Sequence, residues 1–256
     1  MQRPSHEDKV RSVFGRRAAI YTTSAAHTDR EVLDWLVRRA CPRPEWRALD
    51  VATGAGHTAF ALAPHLASVI GVDITPQMLE EAGTLGGQKG LGNVSFHLAD
   101  VHRLPFADAS FDLVTCRRAP HHFSDIGQAL TEMKRVLKPG GRLVIDDRAA
   151  PEDDEADEIM NRLDTLHDET HVREYRPAEW RAMVEQAGFW VESIEPWSSL
   201  RPLSSLTKAV EPGRAEEIRR IVSSLDKRLK ALLQVERRGG EVHHLHFYIM
   251  IAAVKP

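Results

Sequence analysis

The sequence predicts an α/β protein built on a parallel β-sheet, and three observations support this. Short apolar segments typical of strands alternate with segments of helical length through residues 47–145. A glycine-containing loop, GAGHTA over residues 54–59, joins the first of these strands to the first helix. Asp73 and Asp100 stand at the ends of the next two strands. Strands and helices that alternate in this way form right-handed βαβ units and therefore a parallel sheet.

The individual elements follow in chain order. Strands are predicted at 47–51, 67–72, 94–98, 111–116 and 142–145, and helices at 57–66, from Thr75-Pro76 onward and from Ser124 onward. Thr75 followed by Pro76 is a strong helix start, since a hydroxyl cap precedes a proline at the first helical position. Ser124 is the predicted cap of the third helix, whose apolar residues recur at helical spacing. The Pro139-Gly-Gly sequence is expected to end that helix.

The two ends of the chain predict additions to this core. Residues 1–45 are expected to form a helical cap segment, followed by a core over 46–256. A helix at 177–187 and strands at 189–194 and 242–254 complete the core, with 198–240 inserted between the last two strands as a helical lid. Its apolar residues predict one long amphipathic helix, with Leu225, Leu229 and Leu232 on the buried face.

Composition excludes several classes of protein. The 256 residues carry a formal net charge of -3, and 42% of them are hydrophobic, so neither a disordered chain nor a basic nucleic-acid-binding protein is expected. Two cysteines cannot build a disulfide framework, which favours a reducing, cytoplasmic location. The longest apolar run, over 247–254, is too short to span a bilayer. A homodimer remains open.

The glycine loop and the acidic strand ends predict a nucleoside-binding site. Glycines allow a ligand to approach the backbone closely, and an acidic residue at the next strand end accepts hydrogen bonds from ribose hydroxyls. Gly54, Gly56 and Asp73 fit these roles, which a nicotinamide dinucleotide would satisfy nearly as well as other nucleosides. Asp50 within the first strand and Asp100, placed to accept from an adenine amino group, favour a different nucleoside ligand.

Further segments carry a resemblance to a known family. They are FGRRAAIYTTS at 14–24, FDLVTCRRAPHHF at 111–123 and RVLKPGGRLVID at 135–146, together with the glycine loop. Over about residues 10–194 the chain resembles class I S-adenosylmethionine-dependent methyltransferases. It is most similar to the ubiquinone/menaquinone-biosynthesis C-methyltransferase-like group, also called methyltransferase type 11. The resemblance implies a Rossmann-like three-layer sandwich with a helical cap. Its seven-stranded, mostly parallel sheet would have an antiparallel last strand, entering beside the sixth.

The resemblance also implies a cofactor, S-adenosyl-L-methionine, and a set of residues that bind it. Asp50, Gly54 and Gly56 would line its methionine end, and Asp73 would hold the ribose hydroxyls. Arg117 would lie near the methionine amino group. The remaining implied cofactor-binding residues are Tyr21, Ile74, Met78, Asp100 and Val101. The loop reads Gly-Ala-Gly-His and lacks the third glycine that many members carry, and His57 is expected to contact or crowd the cofactor.

His121 and His122 are the predicted catalytic residues. They follow the fourth strand, at the sheet edge where α/β proteins bind ligands, and an imidazole of ordinary pKa, near 6.5, accepts a proton at physiological pH. The predicted function is methyl transfer to a small-molecule acceptor, quinone-like or phenolic, at carbon, oxygen or nitrogen. An NAD(P)-dependent oxidoreductase and a non-catalytic nucleoside-binding protein of the same fold remain as alternatives.

A metal site is not expected, although three histidines cluster on the last predicted strand. His244 and His246 would share one face of that strand, with His243 on the other. No cysteine lies nearby and no helical H-E-x-x-H pattern is present, so solvated or core-edge histidines are the better interpretation.

Overall fold

The computed structural model describes residues 4–208 and 210–256, which contain an eight-stranded sheet flanked by helices. Residues 1–3 of the predicted cap segment and residue 209 of the predicted insertion lie outside the described residues. The strands are β1 (Arg47–Val51), β2 (Ser68–Asp73), β3 (Val94–Leu98), β4 (Phe111–Arg117), β5 (Leu137–Arg148), β6 (Trp190–Pro202), β7 (Glu236–Arg238) and β8 (Glu241–Val254). The helices are α1 (His6–Tyr21), α2 (Arg30–Ala40), α3 (His57–Leu62), α4 (Pro76–Lys89), α5 (Ile126–Val136), α6 (Asp154–His167), α7 (Pro177–Gln186), α8 (Ser204–Thr207), α9 (Pro212–Ser224) and α10 (Lys227–Leu232).

The strand order confirms the predicted sheet. Neighbours follow the order β3-β2-β1-β4-β5-β8-β6, in which β1 to β5 are parallel and β8 runs antiparallel to both β5 and β6. The predicted number of seven strands is one too few, because residues 236–238 form a short exposed hairpin strand with β8. Successive strands are added on one side of β1 up to β3 and on its other side from β4 onward. The carboxyl ends of β1 and β4 therefore border the crevice where α/β sheets bind ligands.

Helices cover both faces of the sheet and give it the predicted three layers. Successive side chains of a strand point to opposite faces. Leu113 of β4 accordingly packs in the cluster that includes α2 and α3, and its neighbour Val114 packs in the cluster that includes α5 and α7. Trp180 of α7 is the largest fully buried side chain. In the described part of the chain, no helix has both the length and the apolarity needed to cross a membrane.

Several helix predictions need correction. The Pro139-Gly-Gly sequence does not end α5, which stops at Val136, and lies within β5. The cap of α5 is Asp125 rather than Ser124, because the Asp125 carboxylate accepts a hydrogen bond from the Gln128 amide at 2.9 Å. The single long helix predicted in the insertion is interrupted after Ser224. Asp226 caps a new helix by accepting from the Leu229 amide at 2.7 Å. A strong cap of this kind offers the backbone an alternative to continuing the previous helix.

The insertion packs against α6 and forms its own apolar cluster. Ile218 and Leu229 are buried there together with Met160 and Leu163 of α6. Leu232 is 38% exposed, contrary to the prediction, and Leu233 is buried in its place at 1%. The interrupted helix explains this change, since the second helix restarts the helical register. The insertion also begins later than predicted, because β6 continues to Pro202 in its pairing with β8.

Candidate active site

Two adjoining cavities lie at the carboxyl edge of the sheet. The first is lined by the ends of β1, β2, β3 and β4 together with α1, and the second by β5, α6, the end of β6 and β8. Five residues line both cavities: Phe14, Tyr21, His27, Arg118 and His122. A ligand in one cavity would therefore share a wall with a ligand in the other.

The loop after β1 is held from behind by Asp50. Its carboxylate accepts hydrogen bonds from the hydroxyls of Thr53 and Thr115 at 2.6 and 2.7 Å. Asp50 is 1% exposed and does not line the cavity, and burial raises its pKa to about 6. Its position is therefore that of a residue that shapes the loop, whereas the resemblance implied contact with the cofactor.

The two glycines of the loop have different surroundings. Gly54 lines the first cavity with φ of +53°, and a Cβ at this position would meet no atom within 4 Å. Gly56 does not line the cavity; with φ of +87°, it lies so close to Phe60 that a Cβ would approach the ring to 2.7 Å. Gly54 thus offers open backbone to a ligand, and Gly56 allows α3 to pack.

Acidic and apolar groups form the opposite wall of the first cavity. The Asp73 carboxylate accepts from the amides of Gly54 and Thr75, both at 2.9 Å, and burial raises its pKa. A carboxylate has about four acceptor positions, so two remain for a ligand. Asp100 accepts from the His102 ring at 2.7 Å. The apolar residues of this wall are Ile74, Met78 and Val101.

His57 fastens the loop to the N-terminal helix. Its Nε2 lies 3.0 Å from the Tyr21 carbonyl oxygen, so Nε2 carries the proton and donates. Both residues line the first cavity, and burial raises the pKa of the Tyr21 hydroxyl to about 12, which keeps it a hydrogen-bond donor. His57 therefore adds a contact between α3 and the end of α1.

Arg117 retains one buried group without a partner. Its Nε donates to the Thr58 hydroxyl at 2.9 Å, and its Nη2 donates to the His27 carbonyl at 2.7 Å. Nη1 is buried and has no hydrogen-bond partner among residues 4–208 and 210–256. A buried guanidinium N–H that lines a cavity and lacks a partner is a binding position for an anionic oxygen.

A buried carboxylate orients His121 toward the second cavity. His121 Nδ1 lies 2.6 Å from one oxygen of Asp147, and the His121 amide donates to the other oxygen at 2.8 Å. Burial raises the pKa of Asp147 to about 7 and lowers that of His121 to about 3, so the ring is neutral at neutral pH. With its proton on Nδ1, this ring keeps Nε2 as the unprotonated nitrogen.

His122 lies at the junction of the two cavities. Its Nδ1 lies 3.2 Å from the carbonyl oxygen and 3.0 Å from the hydroxyl oxygen of Thr170, and its ring contacts Phe14 edge-on. Burial lowers the pKa of His122 to about 3. The assumption of an ordinary imidazole pKa was therefore wrong for both histidines, since the sequence does not show how deeply the loop after β4 is buried.

Arg118 lines both cavities and was missed in the sequence. Its backbone adopts φ of 56°, an uncommon conformation outside glycine. Its Nε donates to buried Asp146 at 2.7 Å, and its guanidinium lies 3.9 Å from the centre of the Tyr248 ring. Ala52, at the end of the neighbouring strand β1, also has a positive φ of 52°. Such backbone strain concentrates at functional sites.

The histidines of β8 form a buried chain of hydrogen bonds below the second cavity. Arg148 Nη1 donates to His246 Nδ1 at 3.0 Å, so His246 donates from Nε2 to His244 Nε2 at 3.1 Å. His244 Nδ1 then donates to the Leu245 carbonyl at 3.1 Å. The two rings share one face of β8, as predicted, and both are neutral because a second proton would place two donors against each other.

Replacing His244 by glutamine should flatten the pH dependence of stability. Burial lowers the pKa of His244 to about 4, whereas the unfolded chain takes up this proton below about pH 6.5. The contribution of the neutral His244 ring to the free energy of unfolding is fully present above about pH 6.5 and decreases as the pH falls toward 4. Between these limits, the free energy of unfolding of the native protein should fall relative to His244→Gln by about 1.4 kcal/mol per pH unit.

Urea unfolding at pH 7.5, 6 and 5 measures this difference. The less buried His243 provides the matched control, and His243→Gln should follow the native protein over the whole range. If the free energy of unfolding changed with pH in the same way for the native protein and His244→Gln, the proposed neutral state of the His244 ring would be contradicted.

The fold and this site define an α/β enzyme with a nucleoside-type cavity at the strand crossover and a second cavity beside it. The family model described as "Methyltransferase domain" matches residues 49–145. YcgJ of Bacillus subtilis, an uncharacterized methyltransferase, is 42% identical over 185 residues, which span 72% of this chain and 73% of that protein. The chain belongs to this methyltransferase family and is an enzyme.

Two further similarities agree with this assignment. The crystal structure of YcgJ matches with a TM-score of 0.83 at 35% identity, over 87% of this chain and 97% of that chain. A ubiquinone/menaquinone biosynthesis C-methyltransferase of Geotalea daltonii is 38% identical over 131 residues, covering 48% of this chain and 54% of that protein. The fold is that of the S-adenosylmethionine-dependent class.

Proposed function

We propose that this enzyme transfers a methyl group from S-adenosylmethionine to a small-molecule acceptor. The first cavity binds the cofactor and the second binds the acceptor. The observation that carries this proposal is the wall of five residues shared by the two cavities. A transferred methyl group must pass directly between donor and acceptor, so the two ligands need adjacent sites.

The residues of the first cavity fit the chemistry of the cofactor. Asp73 accepts from the ribose hydroxyls, and Asp100 accepts from the adenine amino group, with Met78 and Val101 packed beside the base. Gly54 allows the methionine part to approach the backbone, since no Cβ occupies that space. The unpartnered Nη1 of Arg117 suits the methionine carboxylate; a guanidinium repels the amino group that the resemblance placed there.

The chain contributes alignment and exclusion of water. The cofactor supplies a methyl group already activated by the positive sulfonium. Effective alignment of reacting atoms accounts for several kcal/mol of catalysis, and closed walls prevent competing reactions with water. Phe14 and Tyr21 of α1 cover both cavities, and the His57–Tyr21 hydrogen bond holds this helix against the loop after β1.

His121 is the group placed to remove a proton from the acceptor where the reaction requires it. Its Nε2 is unprotonated, and Asp147 stabilises the charge that appears on the ring when it gains a proton. His122 donates its Nδ1 proton to the oxygens of Thr170 and has no carboxylate in hydrogen-bond contact with its ring, so it serves to position the acceptor.

The second cavity has a size suited to a small molecule. Its volume of about 360 Å³ falls in the range typical of sites for small organic ligands. A phenolic or quinone-like acceptor agrees with the similarity to the C-methyltransferase of Geotalea daltonii. Analysis of the methylated product by mass spectrometry and NMR identifies carbon, oxygen or nitrogen as the acceptor atom.

Calorimetry tests the cofactor assignment. S-adenosylmethionine and S-adenosylhomocysteine should each bind with a stoichiometry of about one, because the residues of the first cavity match groups that both molecules carry. NAD should not bind measurably. Binding of NAD without binding of S-adenosylmethionine would contradict the proposed function.

A further inference from the structure

The end of β6 and the helix after it bring polar groups to the wall of the acceptor cavity. Arg201, at the end of β6, and Ser205, on α8, both line the second cavity. The Arg201 backbone pairs with His244 of β8, and its side chain has neither a hydrogen-bond partner nor an ion-pair partner among residues 4–208 and 210–256. Arg201 as a whole residue is half-buried at this wall.

The charges of Arg148 and its partners balance within the protein. Arg148 lies 2.5 Å from both Asp164 and Glu174. Burial raises the pKa of Glu174 well above its ordinary value, whereas Arg148 keeps that of Asp164 low against the effect of burial. Glu174 therefore holds a proton and Asp164 carries the single negative charge. That charge neutralises Arg148.

The other charged side chains of the cavity are also paired. Arg118 is neutralised by Asp146, which lies behind it at 2.7 Å. Asp168 pairs with Arg17 at 3.3 Å. Six imidazoles line the cavity, and burial lowers the pKa of five of them, so these five add no charge at neutral pH: His27, His121, His122, His171 and His246. The sixth, His167, has its Nδ1 3.0 Å from the Leu206 carbonyl oxygen. Among the arginines and carboxylates that line the second cavity, Arg201 is therefore the one without a partner of opposite charge in the described part of the chain.

We propose that the methyl acceptor is a small organic acid whose carboxylate is bound by Arg201 and Ser205. This inference rests on the proposed function, since it concerns the acceptor cavity of that reaction. A guanidinium binds a carboxylate through two parallel hydrogen bonds, and a hydroxyl can donate a third. The carboxylate is held between the end of β6 and α8, and the atom that receives the methyl group faces His121 and His122.

Matched pairs of acids and amides test this specificity. The probes are 3- and 4-hydroxybenzoate and 4-hydroxycinnamate, each compared with its primary amide, which has nearly the same shape and no charge. Affinities are measured by calorimetry with and without S-adenosylhomocysteine. The native protein should bind at least one acid about tenfold or more tightly than its amide, as expected for a hydrogen-bonded charge pair.

Substitutions at Arg201 connect this preference to the residue. Arg201→Gln should reduce the acid-to-amide ratio to about one, and Arg201→Lys should keep most of it. Arg219 on α9 is exposed and outside the cavity, so Arg219→Gln is the control and should leave the ratio unchanged. Thermal unfolding of each variant verifies that the fold is intact.

The outcomes distinguish failure of the carboxylate site from failure of the proposed cofactor assignment. Loss of the acid preference in Arg201→Gln alone supports the carboxylate site. No preference in any pair, or an unchanged preference in Arg201→Gln, overturns it. A protein that binds no S-adenosylhomocysteine but still prefers acids would contradict the cofactor assignment and leave the anion site standing.

Discussion

Asp147→Asn should lower the rate of methyl transfer by about 10²–10⁴ wherever the acceptor must lose a proton, the range for removal of a general base. The Asp147 carboxylate accepts from His121 Nδ1 at 2.6 Å and holds Nε2 as the unprotonated nitrogen. An asparagine amide would present a donor or a weaker acceptor there, and the stabilisation of a protonated ring would be lost. His121→Gln should give a decrease of similar size.

The pH profile separates this role from a structural one. Asp147 has its pKa raised to about 7 by burial, so its carboxylate takes up a proton as the pH falls through 7. The native rate should therefore decline below about pH 7, and the residual rate of Asp147→Asn should lack this step. His122→Gln is the matched control, since its ring adjoins His121 and is equally buried. It should retain the step at pH 7.

Single-turnover measurements at saturating cofactor and acceptor report the chemical step directly. Calorimetry with S-adenosylhomocysteine should give the same affinity for Asp147→Asn and native protein, because Asp147 does not line the first cavity. Native rates in both Asp147→Asn and His121→Gln would eliminate the base, leaving alignment of the two ligands as the source of catalysis.

Local patterns in the sequence predicted the parallel strands and three residues that line the first cavity, Gly54, Asp73 and Asp100, whereas the family resemblance implied the antiparallel last strand and the other residues predicted for that cavity. The loop over 54–59 and the acid at position 73 belong to a strand-loop-helix unit whose geometry depends on neighbouring residues. Asp73 accordingly lines the first cavity beside this loop, and the structure adds a hydrogen bond from the Gly54 amide that was not predicted. The two glycines of the motif have different roles. Gly56 leaves room for the Phe60 ring, whereas Gly54 leaves open space in the cavity.

The second cavity depends on contacts that are distant in the chain. Arg118 meets Asp146 on the neighbouring strand and Tyr248 near the end of the chain, so no spacing rule connects them. The doubled arginine at 117–118 was the available signal, since consecutive residues at a strand end reach different surroundings. Burial of His121 and His122 likewise arises from α1 and from the segment around Thr170. The sequence could therefore identify these histidines as candidate catalytic residues, but it could not predict their protonation state.

Asp73→Asn should weaken S-adenosylmethionine binding by about 10- to 150-fold. The carboxylate has two acceptor positions left after bonding Gly54 and Thr75, and each hydrogen bond to a charged acceptor contributes about 1.5–3 kcal/mol. Asparagine keeps one carbonyl oxygen and places an amide donor where the other oxygen accepted. About one charged hydrogen bond is therefore lost, which corresponds to that range of affinity.

Calorimetry with S-adenosylhomocysteine and with adenosine localises the effect. Both contain the ribose, so both should lose affinity by the same factor if Asp73 binds its hydroxyls. 2′-Deoxyadenosine already lacks one hydroxyl and should be affected less. Asp50→Asn is the control, because Asp50 is buried behind the loop and its effect should appear mainly as a lower melting temperature. Equal losses for adenosine and 2′-deoxyadenosine would show that Asp73 acts by holding the loop through Gly54 rather than by contacting the ribose.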